Sequence, residues 1–302
     1  MSSDAKGYLA AIFSAVCYGM NPLGAIFLYK DGINTNTALF SRFTIAAVLL
    51  AITMLIQRET FKITRRETMV LLCLGVLFGI SSLSYYESFH YIDVGISSTL
   101  LFVYPIMVAI IMSLCFHEKL TTPMVCAIIT ATVGVFTLYY GSEFNLNIIG
   151  IILVLISALS YALYMIVVNQ AKLSLSSIKL TFFATLFCAF VIFLHSLTSP
   201  VNHLMPLDTG RSIFYAFVLG LFPGLLSLLL MAIAVKHIGS TRTAIFGALE
   251  PATALFIGVV VFGEVFTFRL AVGALFIIGS VLLVIVAPQL MKGKRAKTNL
   301  RK

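Results

Sequence analysis

The segment from Ile92 to Thr121, IDVGISSTLLFVYPIMVAIIMSLCFHEKLT, recurs from Ile238 to Thr267 as IGSTRTAIFGALEPATALFIGVVVFGEVFT. At a constant offset of 146, Pro105 falls on Pro251, Phe116 on Phe262, Glu118 on Glu264 and Thr121 on Thr267. Upstream, Gly75-x-x-x-Gly79 falls on Gly220-x-x-x-Gly224 at an offset of 145. Gly7, Ser14, Ala15 and Tyr18 fall on Gly150, Ser157, Ala158 and Tyr161 at 143. Loop insertions produce such a slow drift. Shared Leu/Ile/Val richness would make any two apolar helices look alike, but it does not align Pro, Glu, Tyr and paired Gly positions. The chain therefore reads as two repeats, 1–141 and 148–288, followed by a basic tail at 289–302.

Composition says where these repeats fold. Of 302 residues, 60% are apolar and 10% charged, against about 25% charged in soluble domains. So little polar surface cannot coat a water-soluble particle, and the chain reads as an all-α membrane protein. With about 20 apolar residues per spanning helix, ten transmembrane helices are expected at 7–29, 35–57, 68–90, 95–117, 123–140, 148–170, 177–198, 211–236, 241–263 and 268–288. Five spans per repeat is an odd number, so the second repeat enters the bilayer from the opposite face. Two inverted five-helix repeats are the arrangement many secondary transporters use for alternating access.

Charge sets the expected direction. With the N-terminus inside, sixteen Lys and Arg side chains fall on the cytoplasmic side and three on the other; this asymmetry is the positive-inside signature. Both termini are expected in the cytoplasm and the chain as a multi-pass protein of the inner (plasma) membrane. The run from Tyr8 to Tyr29 is too long for a signal-peptide core and reads as an uncleaved first span. Six basic residues in the tail (Lys292, Lys294, Arg295, Lys297, Arg301, Lys302) suit the anionic inner leaflet, so nucleic acid is not an expected partner. The five cysteines lie in apolar runs without a C-x-x-C pair, which gives no reason to expect a metal, a disulfide or a cofactor.

Certain residues also carry a family resemblance. Ala248-Leu249-Glu250-Pro251-Ala252 through Val261-Phe262-Gly263-Glu264-Val265-Phe266-Thr267 resembles the signature of EamA-type transporters in the drug/metabolite transporter superfamily. Tyr104-Pro105 through Phe116-His117-Glu118-Lys119-Leu120 is its first-half counterpart, with His117 where the family usually has glycine. Ser41-Arg42-Phe43 is similar to the family's Arg-Phe element. The resemblance covers nearly the whole chain. It implies a 5+5 bundle with a central cavity lined mainly by spans 1, 3, 4, 6, 8 and 9.

Candidate transport residues follow from cost. A polar or charged side chain inside the bilayer persists where it is paired, hydrated or used. Ser14, Tyr18 and Asn21 share one helical face by their spacing, and Ser157, Tyr161 and Tyr164 repeat it in the second half; both stripes are read as lining a cavity, with hydrogen bonds to neighbouring helices as the alternative. Tyr18, Asn21, Tyr104, Tyr161, Tyr164 and Glu250 are the expected substrate-binding residues. Glu250 lies near mid-span, where it could meet a substrate ammonium or exchange a proton; a hydrogen-bonded structural carboxyl is the alternative. Arg42 and Glu87, expected at similar depth, are read as a charge pair or outer gate. Pro105 and Pro251, expected mid-helix, are read as hinges or static kinks.

The favoured function is a secondary transporter moving a small polar metabolite, an amino acid or related zwitterion, with export favoured and import equally allowed physically. The alternatives are an intramembrane enzyme, for which His117-Glu118-Lys119-Leu120-Thr121 misses the second histidine of H-E-x-x-H, and a channel, for which no charged ring is evident. Expected partners are the small-molecule substrate, the lipid bilayer, protons and a second copy of the chain, the carrier being a facilitator or a proton antiporter.

Overall fold

The computed structural model describes residues 3–92, 94–139, 147–198, 203–262 and 267–299. Among them the structure is helical, with no strand. The elements are α1 (Ser3–Gly19), α2 (Asn21–Lys30), α3 (Thr35–Ile56), α4 (Arg65–Ser88), α5 (Val94–Leu101), α6 (Tyr104–Phe116), α7 (Thr122–Tyr139) and α8 (Ile148–Gln170). They continue with α9 (Ser177–Thr198), α10 (Gly210–Leu219), a π-helical turn (Gly220–Leu226), α11 (Ser227–Ile238), α12 (Ser240–Phe246), α13 (Leu249–Phe262) and α14 (Phe268–Asn299).

Polar separators in the sequence act as caps. Asn34 accepts from Thr37 N at 2.9 Å to start α3, and Asn147 accepts from Ile149 N at 2.9 Å to start α8. At the start of α4, Thr64 and Glu67 form a reciprocal capping box, which satisfies two otherwise orphaned backbone donors. At the other end of α6, His117 takes a left-handed φ of 54°. That conformation costs a β-carbon-bearing residue about 1–2 kcal/mol. His117→Gly is therefore expected to raise stability by about 0.5 kcal/mol, the strain relief being partly offset by the chain entropy of glycine; a small upward shift in Tm in detergent would show it.

Among the described residues eight helical stretches, with α1–α2, α10–α11 and α12–α13 each taken as one, are long and apolar enough to cross a membrane, and α6 and α7 supply two shorter apolar helices. Four expected spans are interrupted rather than continuous: at Met20, at Phe102–Val103, at Gly247–Ala248 and by the π-helical turn. The outer surface exposes large apolar side chains such as Ile56, Leu114, Phe256 and Phe268, while Arg42, Ser97, Ser157 and Thr241 are fully buried. Polar groups inside and apolar ones outside is the distribution a hydrocarbon solvent selects.

Packing joins one half of the chain to the other. α4 lies against α8 and α9, α1 against α11, α3 against α9 and the π-helical turn, and α7 against α14. A β-carbon on Gly75 would come 2.4 Å from Phe187 Cβ, and one on Gly220 2.5 Å from Ile45 Cγ2. The paired G-x-x-x-G motifs are thus close helix contacts in both halves. Two hydrogen bonds match across the repeat: Ser14 Oγ donates to Ser227 O at 2.8 Å, and Ser157 Oγ to Ser81 O at 2.7 Å. Because each such bond in a membrane contributes about 0.6 kcal/mol, Ser14→Ala and Ser157→Ala are expected to lower Tm slightly and by similar amounts.

Candidate functional site: an aromatic cavity with a carboxylate floor

The breaks in the helices build the site. Met20 ends α1 and restarts the chain as α2 with Pro22 in its first turn, so Tyr18 and Asn21 face the interior from either side of a bend. Pro105 and Pro251 lie in the first turns of α6 and α13, where a missing N–H costs nothing because no intrahelical acceptor exists there. The expected mid-helix kinks are therefore helix restarts. At the second restart Gly247 N bonds Ala244 O at 3.1 Å and Glu250 N bonds Gly247 O at 2.9 Å. These tight turns aim Glu250 inward.

A cavity of about 240 Å3 lies between α1, α2, α4, α5, α6 and α13. Tyr18, Tyr104 and Glu250 line its inner end, Tyr29, Tyr85, Tyr86, Phe89 and Phe102 its aromatic walls, and exposed His90 its outer rim. Glu250 lies ten residues beyond the start of α12, about 15 Å at a rise of 1.5 Å per residue, half of the roughly 30 Å hydrocarbon layer. Tyr104 Oη donates to Ala244 O at 3.3 Å and stands 3.5 Å from Glu250 Oε1. Tyr85 and Ser98 hydroxyls bond at 2.8 Å across the wall.

Behind the inner wall Arg42, fully buried, holds two irregular segments together. Its Nη1 donates to Asn21 Oδ1 and its Nη2 to Pro223 O, both at 3.0 Å. Tyr86 Oη adds a second hydrogen bond to Asn21 Oδ1 at 3.1 Å. The guanidinium carbon stands 5.2 Å from the Tyr18 ring centroid and 4.9 Å from that of Phe43, inside cation–π range. Pro223 has no N–H to continue an α-helix, and the chain widens there into the π-helical turn.

Three sequence-based expectations change. Arg42 does not pair with Glu87. Tyr86 faces the Arg42–Asn21 group, and Glu87 is turned about 100° further around α4, half-buried and without an ion pair among the described residues. Tyr161 and Tyr164 do not line the cavity. Tyr161 stacks behind Tyr18 and meets Tyr104 edge-on at 4.9 Å between centroids, and Tyr164 is fully buried beside Phe78. Ser14 and Ser157 bond neighbouring helices instead of facing the cavity. Tyr18, Asn21, Tyr104 and Glu250 do come together, joined by residues that the spacing did not reveal: Tyr29, Tyr85, Tyr86 and Phe102 in the wall and the Pro223 carbonyl behind it. Glu264 lies outside the described residues.

The family model of the EamA-like transporter family matches residues 5–140 and again 148–286. The chain belongs to the EamA-like transporter family. Two uncharacterized transporters of Archaeoglobus fulgidus are relatives of this EamA chain. One is 24% identical over 93% of this chain and 98% of its own length, the other 25% identical over 92% and 95%. A protein crystal structure superposes with a TM-score of 0.80 at 14% identity, covering 95% of this chain and 99% of its own; that likeness is one of fold. The protein is thus a membrane transporter of the drug/metabolite transporter class.

In this EamA protein the inner cavity wall leaves no spare volume. A β-carbon on Gly247 would stand 1.5 Å from Tyr104 Oη. Gly247→Ala is expected to displace the Tyr104 hydroxyl from Glu250 and lower transport about tenfold while the protein still purifies as a folded particle. Parallel transport and size-exclusion measurements separate the two effects.

Proposed function

We propose that this protein is a secondary transporter moving a small polar metabolite, an amino acid or related zwitterion, out of the cell by alternating access. One observation carries the reading: a cavity between the halves ends near mid-bilayer on Glu250, the one carboxyl group among its described lining residues, beside Tyr18 and Tyr104. Its volume of about 240 Å3 is small beside the roughly 300–1,000 Å3 of typical small-molecule pockets, which favours a metabolite over a bulky drug. Glu250 meets the substrate ammonium, the tyrosines and Asn21 its polar edges, and the aromatic walls its carbon skeleton.

The two halves act as inverted repeats of five crossings each, α5 and α6 together forming one crossing and α7 another. The matched Ser14–Ser227 and Ser157–Ser81 bonds and the matched restarts before Pro105 and Pro251 support this symmetry. The restarts serve as hinges. Tyr161, the repeat mate of Tyr18, would line the cavity when it faces the other side. The Lys and Arg distribution supports cytoplasmic termini in the inner membrane, and protons are the proposed coupling ion.

Purified protein in sealed vesicles tests the reading with radiolabelled amino acids. A carrier gives saturable uptake that is accelerated when the vesicles are preloaded with the same solute. Flux that rises linearly with concentration and shows no counterflow identifies a channel and ends the proposal.

A further inference from the structure

The end of the bundle opposite His90, which carries Ser3 and the start of α12, is tied by side chains. Thr241 Oγ1, in the first turn of α12, donates to Glu118 Oε2 just beyond α6 at 2.9 Å. Asn169 Nδ2, near the end of α8, donates to Ser240 Oγ at 3.2 Å. Next to it Gln170 Nε2 approaches Met112 Sδ of α6 at 3.6 Å. Ser240 and Thr241 are fully buried. Between this layer and the cavity stand the rings of Tyr104 and Tyr161. The passage is shut on this side by an aromatic layer and then a polar one.

The repeat offsets expose an asymmetry. Asn169 and Gln170 correspond to Ile26 and Phe27, and Ser240 and Thr241 to Val94 and Gly95. None of the four equivalents carries a side-chain hydrogen-bonding group, so closing the His90 end cannot rebuild these bonds. Interactions that one of two conformers holds and the other lacks shift the resting equilibrium toward the first.

We propose that the Thr241–Glu118 and Asn169–Ser240 contacts are a one-sided latch that biases the resting carrier toward a cavity facing the His90 end. The inference rests on the alternating-access reading. Both bonds must break before the cavity faces the opposite side, and no equivalent pair exists to hold that second state.

A substrate-free experiment tests it. The full chain, its five native cysteines replaced by alanine, carries Ala254→Cys in the cavity wall. A membrane-impermeant thiol reagent is applied to each side of oriented vesicles. The parent is expected to label from the His90 side. Thr241→Val and Asn169→Leu are each expected to raise labelling from the opposite side about fivefold, the usual worth of one hydrogen bond, and more in combination. Unchanged labelling in the double variant, with a parental melting curve, overturns the latch. Should the double variant fail to fold, Ser240→Ala removes the same acceptor with little volume change and must show the same direction of shift, or the latch is wrong. Labelling depends on no substrate: shifts seen alongside an inactive amino-acid assay sink the substrate assignment alone, whereas equal labelling of the parent from both sides overturns alternating access itself.

Discussion

Replacing Glu250 with glutamine is expected to lower transport at subsaturating substrate at least tenfold while the bundle stays folded. Glutamine keeps the shape and the contact with Tyr104 but removes the acid that can ionise against a cationic substrate. Among the described residues no Lys or Arg side chain lines the cavity. Arg42, the nearest guanidinium, is committed to Asn21 and to the Pro223 carbonyl. On the proposed reading a substrate ammonium supplies the counter-charge, and a hydrogen bond to a charged partner contributes about 1.5–3 kcal/mol, roughly ten- to a hundredfold in affinity. Tyr104→Phe, which removes a neutral hydroxyl at 3.5 Å, should cost severalfold at most. Initial rates for the two variants, measured beside their melting curves, decide the matter: parental flux in Glu250→Gln would remove the carboxylate from the mechanism.

Arg42→Ala is expected to give the largest loss of stability, about 3 kcal/mol. The change strands the Pro223 carbonyl and half-empties the coordination of Asn21, and each buried acceptor left without a donor costs about 1–3 kcal/mol. It also deletes the cation between the Tyr18 and Phe43 rings. Arg42→Lys should rescue little, because one ammonium cannot span two acceptors that the planar fork reaches together. Glu87→Gln should be nearly silent, alone or with Arg42→Ala. Were Glu87→Gln to restore the stability lost in Arg42→Ala, the two groups would be a pair after all and the Asn21–Pro223 clamp would be wrong. Thermal unfolding in detergent measures all four variants.

The Arg42 clamp also marks where the sequence stops being informative. Its three supports, the Met20 break, the π-helical turn and Tyr86, have no equivalent in the other half: α8 and α4 run unbroken where α1–α2 and α10–α11 are interrupted. Comparing repeats finds what is shared, and Pro22 and Pro223, unlike the matched Pro105 and Pro251, have no proline at the equivalent position. Glu87 drew attention as an intramembrane charge. Serine, tyrosine and glutamate crowd every face of that helix between Ser81 and Ser88, and periodicity cannot assign a rotation when polarity surrounds the axis. Tyr161 and Tyr164 lie behind the cavity wall for another reason. Their stripe mirrors that of Tyr18, but a cavity open to one side exposes one stripe and packs the other behind it.

From the amino-acid order alone came the bilayer as solvent, the helical class, the doubled segment, and Tyr18, Asn21, Tyr104 and Glu250 as polar groups too costly to leave idle in hydrocarbon. Those follow from transfer free energies and from spacing along one helix, both local quantities. Which side chain Arg42 grips, which tyrosines form the wall, and which end is latched were decided only by helices meeting across the bundle. Rotation about each axis is set by packing against distant segments, and a difference of one residue, 100° of turn, separates Tyr86 in the interior from Glu87 beside it.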